Sequence, residues 1–510
     1  MEQIQNNRVM TDLYRENAQF PGIALDGSDV YLCWQRFVDR HDSLMASCRR
    51  GDEAVWEREI SDGGEVLHPV ILAHGGAIWY AWSEYARENW RILARCYRDG
   101  QWGEVLTVAS GEALFFPRLF TWQGKLHVIW TEQHKGSAAA VLCPRTGAGP
   151  GAAETVSTVG EAYRAGAAEG GDGNLYAAYD GFDGKQYKLF ARARTAAGWS
   201  EEIVVSQGED WASTPWIAAK PDGAVVGWYD YGYMAVYSVR SADLTVRDGA
   251  LAAVNPQCLK EGVDWYLDLH VASNSSGLQA MAYTRSKYDV LVCTRRGSEP
   301  WSRPVLMSYG DGHCGVHPKL LVDEDDTIHL MWQFGFKNGH MERNAQVIYN
   351  HLTPAELAQQ PDYVAPPSDF TQPIPANADK RLDEHPADVV RACLDKNGYG
   401  NLSVYFGDIH GQSGLSDGMG EVDQYYHRAR DKARLDFTAL TDHDCYPDWT
   451  TQSEWELLRT NCRLMNKDGE LACLLAYEWT PNEYKYDYGH KNVYYRGDEG
   501  EIFRSGDKGG

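Results

Sequence analysis

Basic residues in this chain never run beyond a dipeptide, as at Arg49-Arg50 and Arg295-Arg296. Binding to a phosphate backbone needs clustered Lys and Arg that release counterions. With 48 Lys and Arg against 72 Asp and Glu, the net charge is −24. A nucleic-acid backbone binder is therefore excluded as an expectation, although net charge does not bear on a single basic pocket. The start, MEQIQNNRVMTDLYREN, has neither a basic n-region nor an apolar h-region, so no signal peptide is expected there. No apolar run approaches the roughly 18 residues of a membrane helix. The eleven cysteines are odd in number and form no C-x-x-C pair. Most lie in apolar runs (Cys33, Cys96, Cys293), which reads as buried free thiols in a reducing compartment. The expected protein is soluble and cytoplasmic, with no membrane partner.

Against these absences, the chain is rich in Trp (18), Tyr (30) and Gly (50), a mix suited to short strands and tight turns. With 43% hydrophobic and 24% charged residues over 510 positions, it has the composition of a globular protein of roughly three domains. One pattern recurs: an apolar strand, a turn with Gly or Asp, then a strand closing on an aromatic. The clearest copies are PVILAHGGAIWYAW, PRLFTWQGKLHVIW, PWIAAKPDGAVVGW and PKLLVDEDDTIHLMW. The closing aromatics are Trp34, Trp82, Trp130, Tyr179, Trp228, Tyr283 and Trp332. A second marker, at Trp56, Trp102, Trp199 and Trp301, runs about twenty residues behind, in phase with the first.

Each unit therefore holds about four short strands, which must stack on neighbours to bury both faces. That predicts a seven-bladed β-propeller over residues 1–366. The last unit lacks a fourth strand, and Asn6–Leu13 is placed to supply it and close the ring. Groups expected near the central channel are Asp180, Tyr229, Asp230, His270 and His340. The S-x-D-x-G-x-T-W turn of sialidase-like propellers is absent, which leaves a glycoside-cleaving propeller without a motif.

Residues 367–385 are Pro-rich and polar, a linker. A helix is expected at Ala387–Lys396. Beyond Tyr399 the grammar changes to strand, helix, strand, helix, strand, as in a parallel α/β sheet or barrel. Polar residues collect at the C-terminal ends of those strands, where α/β barrels place their sites. GDIHGQSGLSDG carries Asp408, His410, Gln412 and Asp417. TDHD carries Asp442, His443 and Asp444. AYEWT carries Glu478, and GHKNVYY carries His490. Imidazole and carboxylate groups at one mouth suit divalent Zn, Mn or Fe. Cys445, His427 and His385 are read as bystanders, the first packed and the two histidines solvated.

These motifs resemble the PHP (polymerase and histidinol phosphatase) superfamily, in the branch that begins GD-hydrophobic-HGQ. The resemblance covers about residues 400–496. It implies a TIM-like barrel over 386–510, up to three divalent metals and phosphoester hydrolysis. By that resemblance His410, Gln412, Asp417, His443, Glu478 and His490 are metal ligands, with Glu478 bridging two ions and Asp417 and His443 holding the third. His410, Glu478 and His443 are the catalytic group, and Asp408, Asp442 and Asp444 orient the histidines from behind. Two features depart from the family pattern. Gln412 stands where most members have His, which favours harder ions. The later His and Asp-x-His are missing before Gly510, which reads as a barrel truncated at its C-terminal end.

The expected function is a metal-dependent hydrolase, a phosphoesterase, whose propeller recruits a small-molecule or phosphoester substrate or a protein partner. Two rivals stand beside it. One is a propeller binding module with an inactive barrel. The other is a propeller glycosidase or lyase, whose activity would survive His410→Ala.

Overall fold

The computed structural model describes residues 7–11, 16–51, 53–146, 149–208, 210–231, 237–262, 266–285, 289–308, 313–337, 345–364, 387–416, 418–445, 450–481 and 489–505. The predicted linker, His340, His385 and Asp417 lie outside these, apart from the linker's flanks.

Residues 8–352 are antiparallel strands of the expected four-stranded kind. They do not form seven separate blades. Five discrete sheets and one ten-stranded sheet are present. The larger sheet arises where two successive units touch through one parallel bridge, Ala138 to Glu161. Such a bridge needs only that two neighbouring strand edges come close at one end. Arg8–Val9 pairs antiparallel with Tyr349 and Ile348, so the two ends of this region meet in one sheet. The closing aromatics Trp34, Trp82, Trp130, Tyr179, Trp228, Tyr283 and Trp332 are all buried between sheets. The ten cysteines described are all free.

One local device recurs in every inner strand. The register slips by a bulge, and a non-glycine residue in the slip takes a left-handed backbone: Phe20, His68, Phe116, Arg164, Thr214, Asp268 and His317, with φ between 41° and 55°. In five of them Pro follows, at Pro21, Pro69, Pro117, Pro215 and Pro318. Proline disfavours the right-handed helical region for the residue before it and brings no N–H, so it fits a bulge where the ladder is broken.

The C-terminal residues do not build a TIM-like barrel. They form one four-stranded mixed sheet. Strands Gly407–Gly411, Phe437–Leu440 and Ala472–Trp479 are parallel, and Lys491–Tyr494 runs antiparallel to the last. Closing a barrel takes eight tilted strands; four leave an open sheet. Helices Val422–His427 and Gln452–Met465 cover one side of it and dock on the propeller. Leu457, Leu458 and Trp455 share one apolar core with Leu67, Trp90, Phe115 and Trp130. The longer helix starts where Thr451 and Glu454 cap it reciprocally. Its cap is tied to the propeller, since Gln35 Nε2 donates to Thr451 Oγ1 at 3.1 Å and Asp42 accepts from Ser453 N at 2.6 Å. No helix among the described residues is long and apolar enough to cross a membrane.

His427 is fully buried, contrary to the solvated placement expected. The short helix that carries it presses against Tyr163, Phe182 and Tyr187 of the propeller. Its Nε2 lies 2.8 Å from Glu161 and its Nδ1 3.2 Å from Asp431. Burial pulls its pKa down, but these two carboxylates outweigh burial and raise it, while both carboxylates are lowered. A raised His pKa adds stability below the unfolded value of about 6.5, lost as pH climbs through the folded value. The lowered acids add stability above about pH 4.5, lost on acidification through their folded values. Urea unfolding should therefore show the largest wild-type advantage over His427→Gln near pH 5–6 and a smaller one above about pH 8. An advantage independent of pH would show that the ion pairs contribute nothing to docking.

Candidate functional site

The C-terminal ends of the three parallel strands meet the start of the antiparallel one. That topology brings five of the sequence-predicted residues together. His410 and Gln412 end the first strand, His443 follows the second, Glu478 lies near the end of the third, and His490 precedes the fourth. Single ligand atoms of His443, Glu478 and His490 lie within 4.8 Å of one another. His490 Nδ1 is 2.7 Å from Glu478 Oε1, and His443 Nδ1 and His410 Nε2 are each 3.7 Å from Oε2. Gln412 Nε2 donates to Glu478 Oε2 at 2.8 Å and lies 3.0 Å from His443 Nε2. Glu478 and His443 are buried; His410 and His490 are about half exposed, so the cluster opens to solvent on one side.

Threonines fix the rings. His443 Nδ1 is 2.6 Å from Thr480 Oγ1, and His410 Nδ1 is 2.8 Å from Thr441 Oγ1. A hydrogen bond at one ring nitrogen decides which nitrogen keeps its lone pair. With Nδ1–H donating to Thr480, His443 turns the Nε2 lone pair toward Gln412. The sequence reasoning missed both threonines. Their signal is position, since each lies beside or two residues beyond a ligand candidate, in LTDH and EWT.

The three carboxylates assigned to orient histidines have other partners. Asp408 accepts from the backbone N–H of His410 at 3.0 Å. Asp442 accepts from Ser413 N at 2.8 Å, Ser413 Oγ at 2.7 Å and Ser416 Oγ at 2.5 Å, which holds the loop after Gln412. Asp444 accepts from Thr480 N at 2.7 Å and Ser505 N at 2.6 Å, so it reaches His443 through Thr480. Burial lifts the Asp444 pKa to about 6. Cys445 is buried, donates to Thr480 O at 3.2 Å, and has its thiol pKa raised by burial. Asp417 lies outside the described residues.

A divalent ion fits this donor set. Ligand atoms about 2.0–2.3 Å from one ion are themselves a few ångströms apart, which matches the spread of the cluster. Two or three imidazoles with one carboxylate suit Zn, Mn or Fe. Gln412 would present Oε1 to an ion after a half-turn of its amide plane.

A second feature lies on the propeller axis, where a cavity of about 170 Å³ is lined by inner-strand residues and closed from above by Leu415, Glu421, Val422 and Leu457. All seven left-handed residues line it: Phe20, His68, Phe116, Arg164, Thr214, Asp268 and His317. The sequence missed this ring, although the residue before each repeated Pro marks it. Of the channel groups expected, Tyr229 lines the cavity. Asp180 pairs with Arg164 at 2.7 Å, and Asp230 pairs with Arg240 at 2.5 Å. His270 packs on Trp216, with ring centres 4.2 Å apart.

No family model matches the chain, and no curated protein does. Among solved structures, the polysaccharide lyase Uly1 is similar with a TM-score of 0.49 and 10% identity, over 69% of this chain and 99% of that one. An ulvan lyase bound to a -[GlcA(1-4)Rha3S]- ligand gives 0.47 and 11%, over 67% and 95%. A subtype N10 neuraminidase-like protein of A/little yellow-shouldered bat/Guatemala/060/2010 gives 0.38 and 9%, over 67% and 98%. At this level of similarity the activities of those proteins do not transfer to this chain.

Proposed function

We propose that the chain is a metal-dependent hydrolase that works at the His–Glu cluster of the C-terminal sheet, with a phosphoester as the substrate class. The observation that carries the reading is the convergence of His410, Gln412, His443, Glu478 and His490 from four strand ends onto one half-open pocket. A divalent ion held there supplies Lewis acidity and a charged anchor for substrate oxygen. The chain's own residues do the rest. Thr480 and Thr441 hold the His443 and His410 rings in place. Glu478 supplies the buried negative charge that a dication needs. His410 and His490, half exposed, stand on the side where a substrate would enter.

Metal content by inductively coupled plasma mass spectrometry tests this. The wild-type chain should carry Mn, Fe or Zn in near-stoichiometric amount, and His410→Ala with His443→Ala should lose it. Equal metal in both, or none in either, would remove the basis for a phosphoester screen.

A glycosidase or lyase borne by the propeller is the rival reading. The axial cavity favours it, with Arg118, Tyr229, Asp268 and His317 facing one space. Polysaccharide cleavage that survives His410→Ala with His443→Ala would select it.

A further inference from the structure

Two positions after the left-handed residues, each inner strand has a second ring position, and Val70, Arg118, Trp216 and Lys319 of that ring line the cavity. Arg118, Gly166, Trp216, His270 and Lys319 occupy five of them, and Gly22 and Val70 the other two. This tier has two basic side chains and no carboxylate. The Arg118 guanidinium lies 3.6 Å from the Trp216 ring centre, and the Lys319 ammonium lies 4.3 Å from the same centre. Arg118 donates to the Pro215 carbonyl at 2.6 Å. Gly166 makes room for it, since a Cβ there would stand 2.8 Å from Arg118 Nη1.

Charge in the cavity is unevenly matched. Arg164 is satisfied by Asp180 and Asp423. Asp268 faces His317 at 3.3 Å. Glu421 bonds Thr214 Oγ1 at 3.2 Å, and burial lifts its pKa to about 7. Among the described residues neither Arg118 nor Lys319 has a carboxylate within salt-bridge distance. Burial, with Arg118 repulsion added, pulls the Lys319 pKa down to about 7 against the pull of Asp268, and burial pulls Arg118 down to about 9 against the pull of Asp180. His68 and His270 are held neutral by burial and by these cations. Two buried like charges held over one ring are costly unless an anion joins them. The left-handed ring around them adds backbone strain of the kind that persists at ligand sites.

We propose that the axial cavity binds a small organic carboxylate, with its carboxyl group held by Arg118 and Lys319 and its apolar body against Phe20, Phe116 and Leu415. The planar guanidinium offers paired donors to a carboxylate, and Lys319 adds a point charge. The volume, about 170 Å³, has room for roughly ten waters or a ligand of that bulk. No residue of the His–Glu cluster lines this cavity, so the proposal does not rest on the metal reading.

Isothermal titration of the full chain with benzoate tests it, with benzyl alcohol as the neutral counterpart and inorganic phosphate as the competing anion. Benzoate should bind one to one, and benzyl alcohol should not. Affinity should fall by roughly tenfold or more between pH 6 and pH 9, as Lys319 and then Arg118 lose their charge and Glu421 gains one that repels the ligand. Lys319→Met should weaken benzoate roughly tenfold or more without lowering the melting temperature, because it removes a desolvated charge. Gly166→Ala, which displaces Arg118, should weaken it too. Benzoate binding unchanged in Lys319→Met, or no binding at millimolar concentration, would overturn the proposal. Tighter binding of phosphate than of benzoate would overturn the carboxylate assignment.

Discussion

Replacing Glu478 by Gln should strip the divalent metal from the chain while leaving its fold intact. Glu478 is the buried carboxylate that three histidines and Gln412 surround. The amide keeps the shape and one acceptor oxygen but loses the charge that balances a dication. Changes outside the ligand shell alone cost about 10–100-fold in metal affinity, so loss of the anionic ligand should exceed roughly 100-fold. Thr480→Ala, which frees the His443 ring without touching a ligand, should fall within that lower range. Turnover, if the hydrolase reading holds, should follow the metal in both variants. Metal titration with a competing chelator reads the affinities, and thermal unfolding of the metal-free proteins reads the fold. Metal-free Glu478→Gln should be no less stable than metal-free wild type, because a buried charge has been removed. Full metal affinity in Glu478→Gln would place the ion elsewhere.

The repeat was legible because burial on both faces of a blade forces a period that point changes rarely hide. Its closing aromatics, from Trp34 to Trp332, all turned out to be core. What the period could not give was sheet connectivity, since the bridge from Ala138 to Glu161 is one backbone contact with no side-chain signature. The C-terminal motifs put His410, Gln412, His443 and Glu478 at or just past the ends of parallel strands and His490 at the start of a further strand, which is where the structure has them. The barrel did not follow, since a motif fixes a local turn and says nothing about how many strands close around it. His427 misled for a related reason. A histidine on a short polar helix looks solvated until a neighbouring domain is laid on it, and Glu161, 266 positions earlier, carries no mark in the sequence. Arg118 and Lys319 were hidden in the same way. They stand near Pro117 and Pro318, but only ring closure brings them over one tryptophan.

Arg164→Met should be the most damaging single change at the junction between propeller and C-terminal sheet. Arg164 is 1% exposed and binds two carboxylates. Its Nε donates to Asp180 at 2.7 Å, and its two terminal nitrogens donate to Asp423 at 2.6 and 3.1 Å. Tyr187 also donates to Asp423, at 2.5 Å. Removing the guanidinium leaves two buried carboxylates facing each other. Breaking one buried ion pair costs about 3–5 kcal/mol, so the cost here should reach the top of that range. Asp423→Asn should cost less, because Arg164 keeps Asp180 and the pair that remains is neutral. Asp180 is already pushed upward by burial and by Asp423, so losing Asp423 relieves it. Arg164→Met combined with Asp423→Leu should recover part of the loss, as removal of whole buried ion groups does. Urea unfolding of these proteins, with Asp423→Leu alone added to close the cycle, gives the coupling. Equal losses in Arg164→Met and Asp423→Asn, with simple addition in the double variant, would mean that apolar packing of Leu457, Trp455 and Trp90 alone holds the two units together, and that the ion triad only occupies the space between them.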